Sequence, residues 1–268
     1  MSSYTYTWAI GVPGYPPLKP LDHRGLLARA ASLGVDTVQF ADNLPLHRLD
    51  PRNRAAVAGH AADLGVRIEV GTRGIGKANL CDYVEIAREF GSPFVRTVIE
   101  RPGHMLTPSQ AVAALRPVRS CFVSAGMRLA IENHDRYTAQ ELADVVQELG
   151  TDWVGVCLDT VNSFGALEGP EAVVRVLAPL TINVHVKDFV IERPPHMMGF
   201  VLEGRAAGAG SLDIPWLFAQ LPVGDELSAI IELWTPPERS VVATIAKEAN
   251  WAEKSVRYLA DLLHASDT

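Results

Sequence analysis

Four short apolar runs in the second half of the chain decide the fold: LAIENHD at 129–135, VGVCLDT at 154–160, NVHVKDF at 183–189 and AIIELW at 229–234. Their Val, Ile and Leu content favours strands. Each run is interrupted near its end by a carboxylate or a histidine. An isolated charge buried in a strand is costly, so such groups are paired or bind a metal. Side chains alternate inward and outward along a barrel strand. One inward choice per strand puts Glu132, Asp159, His185 and Glu232 in one layer. It puts Ala130 and Cys157 a layer below, and His134, Lys187 and Trp234 a layer above, at a pocket rim. The layer members are 27, 26 and 47 residues apart along the chain, and a long loop after the third run accounts for the last interval.

The same alternation of short apolar runs and amphipathic stretches extends back to the N-terminus. Strands are predicted at 5–12, 36–42, 66–72, 94–100, 128–134, 154–160, 182–189 and 228–234. Helices are predicted near 21–33, 52–64, 77–90, 108–125, 138–149, 170–178, 213–220 and 244–264. In the third helix Leu80, Val84 and Ala87 recur at helical spacing, and Gly91 offers a stop. Eight β-then-α units predict a single α/β domain, a (β/α)8 barrel over residues 1–268. An open doubly wound sheet is the runner-up, but Val12-Pro13-Gly14-Tyr15-Pro16-Pro17 cannot act as its phosphate turn. Residues 190–212 lack regular periodicity and read as a long flexible lid on the active-site face.

Composition bounds the function. The 268 residues carry a net charge of −7, which argues against non-specific nucleic-acid binding. No apolar run approaches the roughly 20 residues of a membrane helix, and Met1–Trp8 does not read as a signal peptide. Cys81, Cys121 and Cys157 show neither metal-ligand spacing nor a disulfide framework, so a cytoplasmic location is the default.

Three carboxylates and one imidazole form a fairly hard ligand set. It suits one divalent ion, Mn²⁺ foremost, with Mg²⁺, Co²⁺ or Zn²⁺ as alternatives. His134 and Lys187 at the rim are candidates to bind substrate or donate a proton; otherwise His134 caps a strand and Lys187 pairs with Asp188. Arg96 interrupts the fourth strand and Arg73 ends the third, which suits capture of an anionic substrate. Asn162, Trp234 and Arg193 are further substrate-contact candidates, and Asp42 and Asn43 close the second strand. The glycines of 204–210 fit no phosphate motif and read as lid.

The motifs IENHD, CLDTVNSFG, NVHVKDF and IIELW resemble those of the xylose isomerase-like barrel superfamily, the sugar phosphate isomerase/epimerase family. That group includes sugar isomerases, ketose 3-epimerases, inosose and dehydroshikimate dehydratases, and endonuclease IV. The resemblance implies that the quartet binds a divalent metal and that Glu132 and Glu232 also move protons. The 3-epimerases carry a second glutamate six residues after the first ligand and a histidine three after the aspartate. Thr138 and Asn162 stand there in this chain.

The leading expectation is therefore an isomerase or epimerase acting on a keto-sugar or sugar acid. The alternative is a lyase, a 3-oxo sugar acid decarboxylase or dehydratase, which uses the same quartet and better explains Arg73 and Arg96. An abasic-site endonuclease needs histidines that the early strands lack. The expected partner is a small sugar or sugar acid, with no nucleic acid, no membrane, and a homodimer as the default assembly.

Overall fold

Seven of the apolar runs form strands in one parallel sheet: β1 (Thr37–Phe40), β2 (Arg67–Arg73), β3 (Phe94–Val98), β4 (Arg128–Glu132), β5 (Val154–Asp159), β6 (Thr181–Val186) and, late in the chain, β9 (Ser228–Ile231). The computed structural model describes residues 1–99, 103, 106–222 and 227–266, so the last residue of the run at 94–100 lies outside them. The strands pair in the order β1-β2-β3-β4-β5-β6-β9. Between β9 and β1 the extended Met1–Ser2 segment closes the ring. Gln39 donates its N–H to Met1 O at 2.9 Å, and Ser2 donates to Ile231 O at 3.3 Å.

The strand expected at 5–12 is not there. Ser3–Tyr6 is a 3₁₀ turn and Thr7–Ile10 is a short helix, α1. Ser2 caps the turn and exchanges a capping box with Thr5, so local hydrogen bonding overrides the β propensity of Tyr4-Thr5-Tyr6-Thr7. The eighth strand position is filled by two residues that precede the run the periodicity favours.

Helices α2 (His23–Ser32), α3 (Pro51–Asp63), α4 (Lys77–Phe90), α7 (Ala139–Leu149), α8 (Pro170–Leu177), α9 (Ile214–Gln220) and α10 (Val241–Ser266) surround the sheet close to their expected places. Their apolar faces meet the outward strand residues in one continuous core. The helix expected over 108–125 is divided into α5 (Pro108–Leu115), a 3₁₀ turn and α6 (Arg119–Ser124). Pro117 lies at the break, where its ring removes a helical N–H.

A further expectation fails. Cys81 on α4 and Cys121 on α6 form a disulfide, a pairing that their separation of 40 residues does not signal. Disulfides persist in oxidising compartments, so this bond removes the premise of the cytoplasmic expectation. No helix among the described residues is long and apolar enough to cross a membrane.

The region after β6 is not a structureless lid. Asp188–Glu192 (β7) and Val201–Arg205 (β8) pair as an antiparallel hairpin. The hairpin and the glycine-rich segment after it are anchored by one carboxylate. Asp188 accepts N–H bonds from Phe189 and Leu212 on one oxygen and from Gly208 and Gly210 on the other, at 2.8–3.0 Å. A Cβ on Gly210 would lie 2.2 Å from Asp188 Oδ1, so that position admits only glycine. Amides that might have faced a phosphate are already occupied.

Candidate active site

The four ligand candidates converge at the C-terminal end of the barrel. Glu132 ends β4, Asp159 ends β5, His185 is next to last in β6, and Glu232 follows β9. All four are 3% exposed or less. His185 Nδ1 lies 3.3 Å from Glu132 Oε2, 3.4 Å from Glu232 Oε1 and 3.8 Å from Asp159 Oδ2. Ala130 and Cys157, each two residues before a member of the quartet on its strand, form a buried cluster with Phe94. Cys157 is enclosed, and burial pushes its thiol well up, so it is no nucleophile at neutral pH.

Two cations share the layer. Arg96, 2% exposed, contacts Glu132 Oε2 through Nε and Nη2. Its Nη1 reaches Asp42 Oδ1 at 3.3 Å and Thr72 O at 3.2 Å. Gly71 on the adjacent strand leaves room, since a Cβ there would approach Arg96 Cδ to 3.3 Å. Lys187 bends down from the rim and places Nζ 2.6 Å from Asp159 Oδ2 and 2.8 Å from Glu232 Oε2. Asn162 completes the frame: its Nδ2 donates to Glu132 Oε1 at 2.7 Å, and its Oδ1 faces Lys187 Nζ at 3.5 Å. Ser2 Oγ donates to Glu232 Oε1 at 2.8 Å.

The electrostatics follow from enclosure and from these pairs. Burial pushes the Glu132 carboxyl above the ordinary range; Arg96 pulls it down, and Asp159 adds to the rise. Burial would also raise Glu232, but His185, Lys187 and Arg96 outweigh it and hold the carboxyl low. Desolvation drops His185 to about 4, so its imidazole is neutral near pH 7. Burial alone would lower Lys187 and Arg96, yet their carboxylate partners keep both raised and charged.

Asp159, His185 and Glu232 offer ligand atoms within 4.8 Å of one another, and Glu132, Cys157 and His185 form a second such group. His185 Nδ1 is buried without a hydrogen-bond partner, with carboxylate oxygens on three sides. An unpaired buried nitrogen costs about 1–3 kcal/mol, and a cation among those oxygens would remove that cost. The donor set therefore fits a divalent ion.

The other candidates fall into two groups. His134 and Trp234 stay at the rim: the His134 side chain is 20% exposed beside Asp135, with its pKa lowered by burial. Trp234 is 39% exposed with Lys187 Nζ 5.6 Å from its ring. Arg73, Arg96 and Arg193 are already engaged by the protein. Arg73 Nε holds Asp42 at 2.9 Å, and Asp42 thereby bridges Arg73 and Arg96. Arg96 is enclosed and cannot reach a substrate carboxylate, contrary to expectation, because Glu132 and Asp42 take its guanidinium. Arg193 stacks on Phe200 at 4.4 Å and donates to Met197 O, which ties it to the exposed hairpin tip.

Sequence reasoning missed three groups. Tyr4 is partly buried within electrostatic reach of Asp42, Arg96 and Glu232, and it was hidden by the misplaced first strand. Gln39 and Asn183 lie beneath the quartet. The available signal was a polar amide inside an apolar run, TVQF and TINV. A cavity of about 530 Å³ opens at the opposite end of the strands, lined by Thr37, Ala61, Arg67, Glu69 and Phe90. That end of a barrel serves stability, and it holds none of the quartet.

With barrel and site described, the class is clear. The chain belongs to the xylose isomerase-like TIM barrel family, whose model matches residues 27–262. A 3-oxo-isoapionate decarboxylase of Pectobacterium atrosepticum is 30% identical over 262 residues, covering 97% of this chain and 94% of the relative. Among solved structures, an L-ribulose 3-epimerase superposes with a TM-score of 0.69 at 17% identity, over 100% of this chain and 95% of the other. The IolI protein with a bound zinc atom gives 0.70 at 13% identity, over 98% and 96%. At such identities the last two speak to the fold alone.

Proposed function

We propose that this protein is a metal-dependent lyase that decarboxylates a 3-oxo sugar acid. The observation that carries the reading is the pairing of both lumenal glutamates with cations, Glu132 with Arg96 and Glu232 with Lys187. Epimerisation needs a base on each face of the substrate. Loss of CO₂ from a β-keto acid needs none. The C–C bond to the carboxylate breaks, its electron pair moves to the neighbouring carbonyl oxygen, and a proton then adds at the carbon that lost CO₂. The 30% identical decarboxylase supports the same choice.

Glu132, Asp159, His185 and Glu232 would hold the ion, and Mn²⁺ is our choice for that set. When bound, the ion supplies positive charge beside the oxygen where negative charge develops and, by repulsion, makes the Lys187 ammonium a stronger acid. Lys187 is the proton donor in this reading, aimed by Asn162 and the Trp234 ring. Arg96 and Asn162 keep Glu132 in one rotamer. His134 and Trp234 line the entrance and contact the sugar hydroxyls. Arg73 stays partly exposed while it holds Asp42, and it draws in the anionic substrate.

A second reading, isomerisation or epimerisation of a keto-sugar, draws on the two glutamates facing one site. Metal-loaded protein offered 3-oxo sugar acids should release CO₂, and Lys187→Met should suppress that release. Absence of CO₂ from every 3-oxo acid tried, with deuterium exchange at carbon in a neutral ketose, would establish the second reading in place of the first.

A further inference from the structure

Beneath the ligand layer lies a chain of side-chain amides whose donors and acceptors can be assigned without ambiguity. It begins at the Ser228 backbone carbonyl, which can only accept. Asn183 donates Nδ2 to that carbonyl at 3.2 Å and to Ser228 Oγ at 2.6 Å. Its Oδ1 therefore faces the other way, where Cys157 Sγ lies at 3.0 Å and Gln39 Nε2 at 3.2 Å. Gln39 Nε2 also reaches Glu69 Oε2 at 3.0 Å. Two acceptors thus fix the Gln39 NH₂ group, and the Asn183 one does not titrate. Gln39 Oε1 is left pointing at His185 Nε2, 2.8 Å away. An amide oxygen cannot donate, so His185 Nε2 carries a hydrogen. The lone pair, or a displaceable proton, is then on Nδ1, the atom that the three carboxylates surround.

We propose that Gln39 is the positioning residue that fixes the tautomer of His185, with Asn183 and Glu69 holding the Gln39 amide in the required orientation. The proposal rests on the reading of His185 as a metal ligand. Ligand histidines elsewhere lose roughly 10–100-fold in metal affinity when the partner of their distal nitrogen is removed. Here the partner is an uncharged amide, kept from flipping by the polar floor of the barrel. Without it His185 could turn its N–H toward Glu132 and Glu232, a geometry stable without an ion and wrong for binding one.

Two measurements on the full-length protein test this. The first is ¹⁵N NMR of histidine-labelled protein after chelation, with the His185 signals assigned by their loss in His185→Ala. Wild type should carry the His185 proton on Nε2, and Gln39→Leu should shift part of the population to Nδ1–H. The second is Mn²⁺ titration of chelated protein. Gln39→Leu should bind roughly 10–100-fold more weakly than wild type, and Glu69→Gln less weakly than that, since the Asn183 contact remains. A proton on Nδ1 alone in chelated wild type overturns the proposal. So does a folded Gln39→Leu with unchanged tautomer or unchanged Mn²⁺ affinity. A wild type that binds no Mn²⁺ yet keeps the Nε2 proton, lost in Gln39→Leu, would overturn the metal reading and leave the tautomer lock standing.

Discussion

Asp159 and Asp188 are both buried carboxylates at the same end of the barrel, and their surroundings differ. Asp188 has both oxygens met by backbone N–H groups, four in all. Asp159 has one oxygen so met, by Val161 and Asn162 at 2.9 Å. Its other oxygen faces Lys187 and the pool shared with Glu232 and His185. Four fixed dipoles satisfy a charge permanently, and the result is a structural clamp. A lysine ammonium beside an unpartnered imidazole nitrogen satisfies it conditionally, and the result is a site that can exchange one cation for another.

That contrast predicts opposite phenotypes. Asp159→Asn and His185→Ala should reduce turnover by at least roughly 10³-fold, since the charge stabilisation lost is several kcal/mol and each factor of ten is about 1.36 kcal/mol. Their melting temperatures without metal should stay close to wild type. CO₂ release and thermal unfolding on the same samples check both halves, and an inactive variant that has also lost its fold breaks the comparison. Asp188→Ala should do the reverse. It strands several N–H groups at about 1–3 kcal/mol for each that water cannot reach, so a loss of about 3 kcal/mol is expected in urea unfolding. Amides 206–212 should lose hydrogen-exchange protection while the quartet still binds Mn²⁺.

Metal addition sharpens the same comparison. Mn²⁺ at a hundredfold excess over Kd should stabilise wild type by about 2.7 kcal/mol, and Asp188→Ala by a similar increment from its lower start. His185→Ala should respond far less. In the metal-free barrel Arg96 and Lys187 sit among the three carboxylates and offset their mutual repulsion.

The difference between the two aspartates also marks what the sequence could reveal. Glu132, Asp159, His185 and Glu232 were legible because each breaks an apolar run at an equivalent place, and strand alternation converts that into a shared layer. The Asp188 clamp was not legible, since its partners are backbone amides 20–24 residues downstream, which have no side-chain signature. Thr138 was noticed only as the absence of a glutamate. It is the N-cap of α7, in a capping box with Glu141, and the pattern T-x-x-E could have said so. The first strand was lost because Tyr4–Trp8 has strand-like composition, whereas Met1–Ser2 is too short to show any period. Arg96 was correctly picked out as an inward arginine, but its partner Glu132 lies on another strand, and pairing across strands depends on register.

A third buried carboxylate gives the smallest and most pH-specific effect. Glu248 on α10 is fully enclosed and accepts the N–H groups of Trp8 at 2.8 Å and Ala9 at 3.0 Å. Burial outweighs those two bonds and pushes its carboxyl up to about 7. It has fewer amides than Asp188, and the cation acting on it is Arg29, whose pull is weaker than the two N–H bonds. Between the ordinary carboxylate pKa and 7 the folded protein binds more protons at this site than the unfolded chain, so stability falls as pH rises through that window. The cost is absent below about pH 4.5 and complete above about pH 7. Its full size is on the order of 3 kcal/mol, of which the larger part falls between pH 5 and pH 8. Glu248→Gln cannot ionise and loses one of the two N–H acceptors, a penalty that is the same at every pH. Urea unfolding at pH 5 and pH 8 should show wild type losing about 2 kcal/mol more than the variant across that interval. Parallel losses in the two proteins would mean that Glu248 is ionised throughout, with its two N–H bonds sufficient to hold the charge.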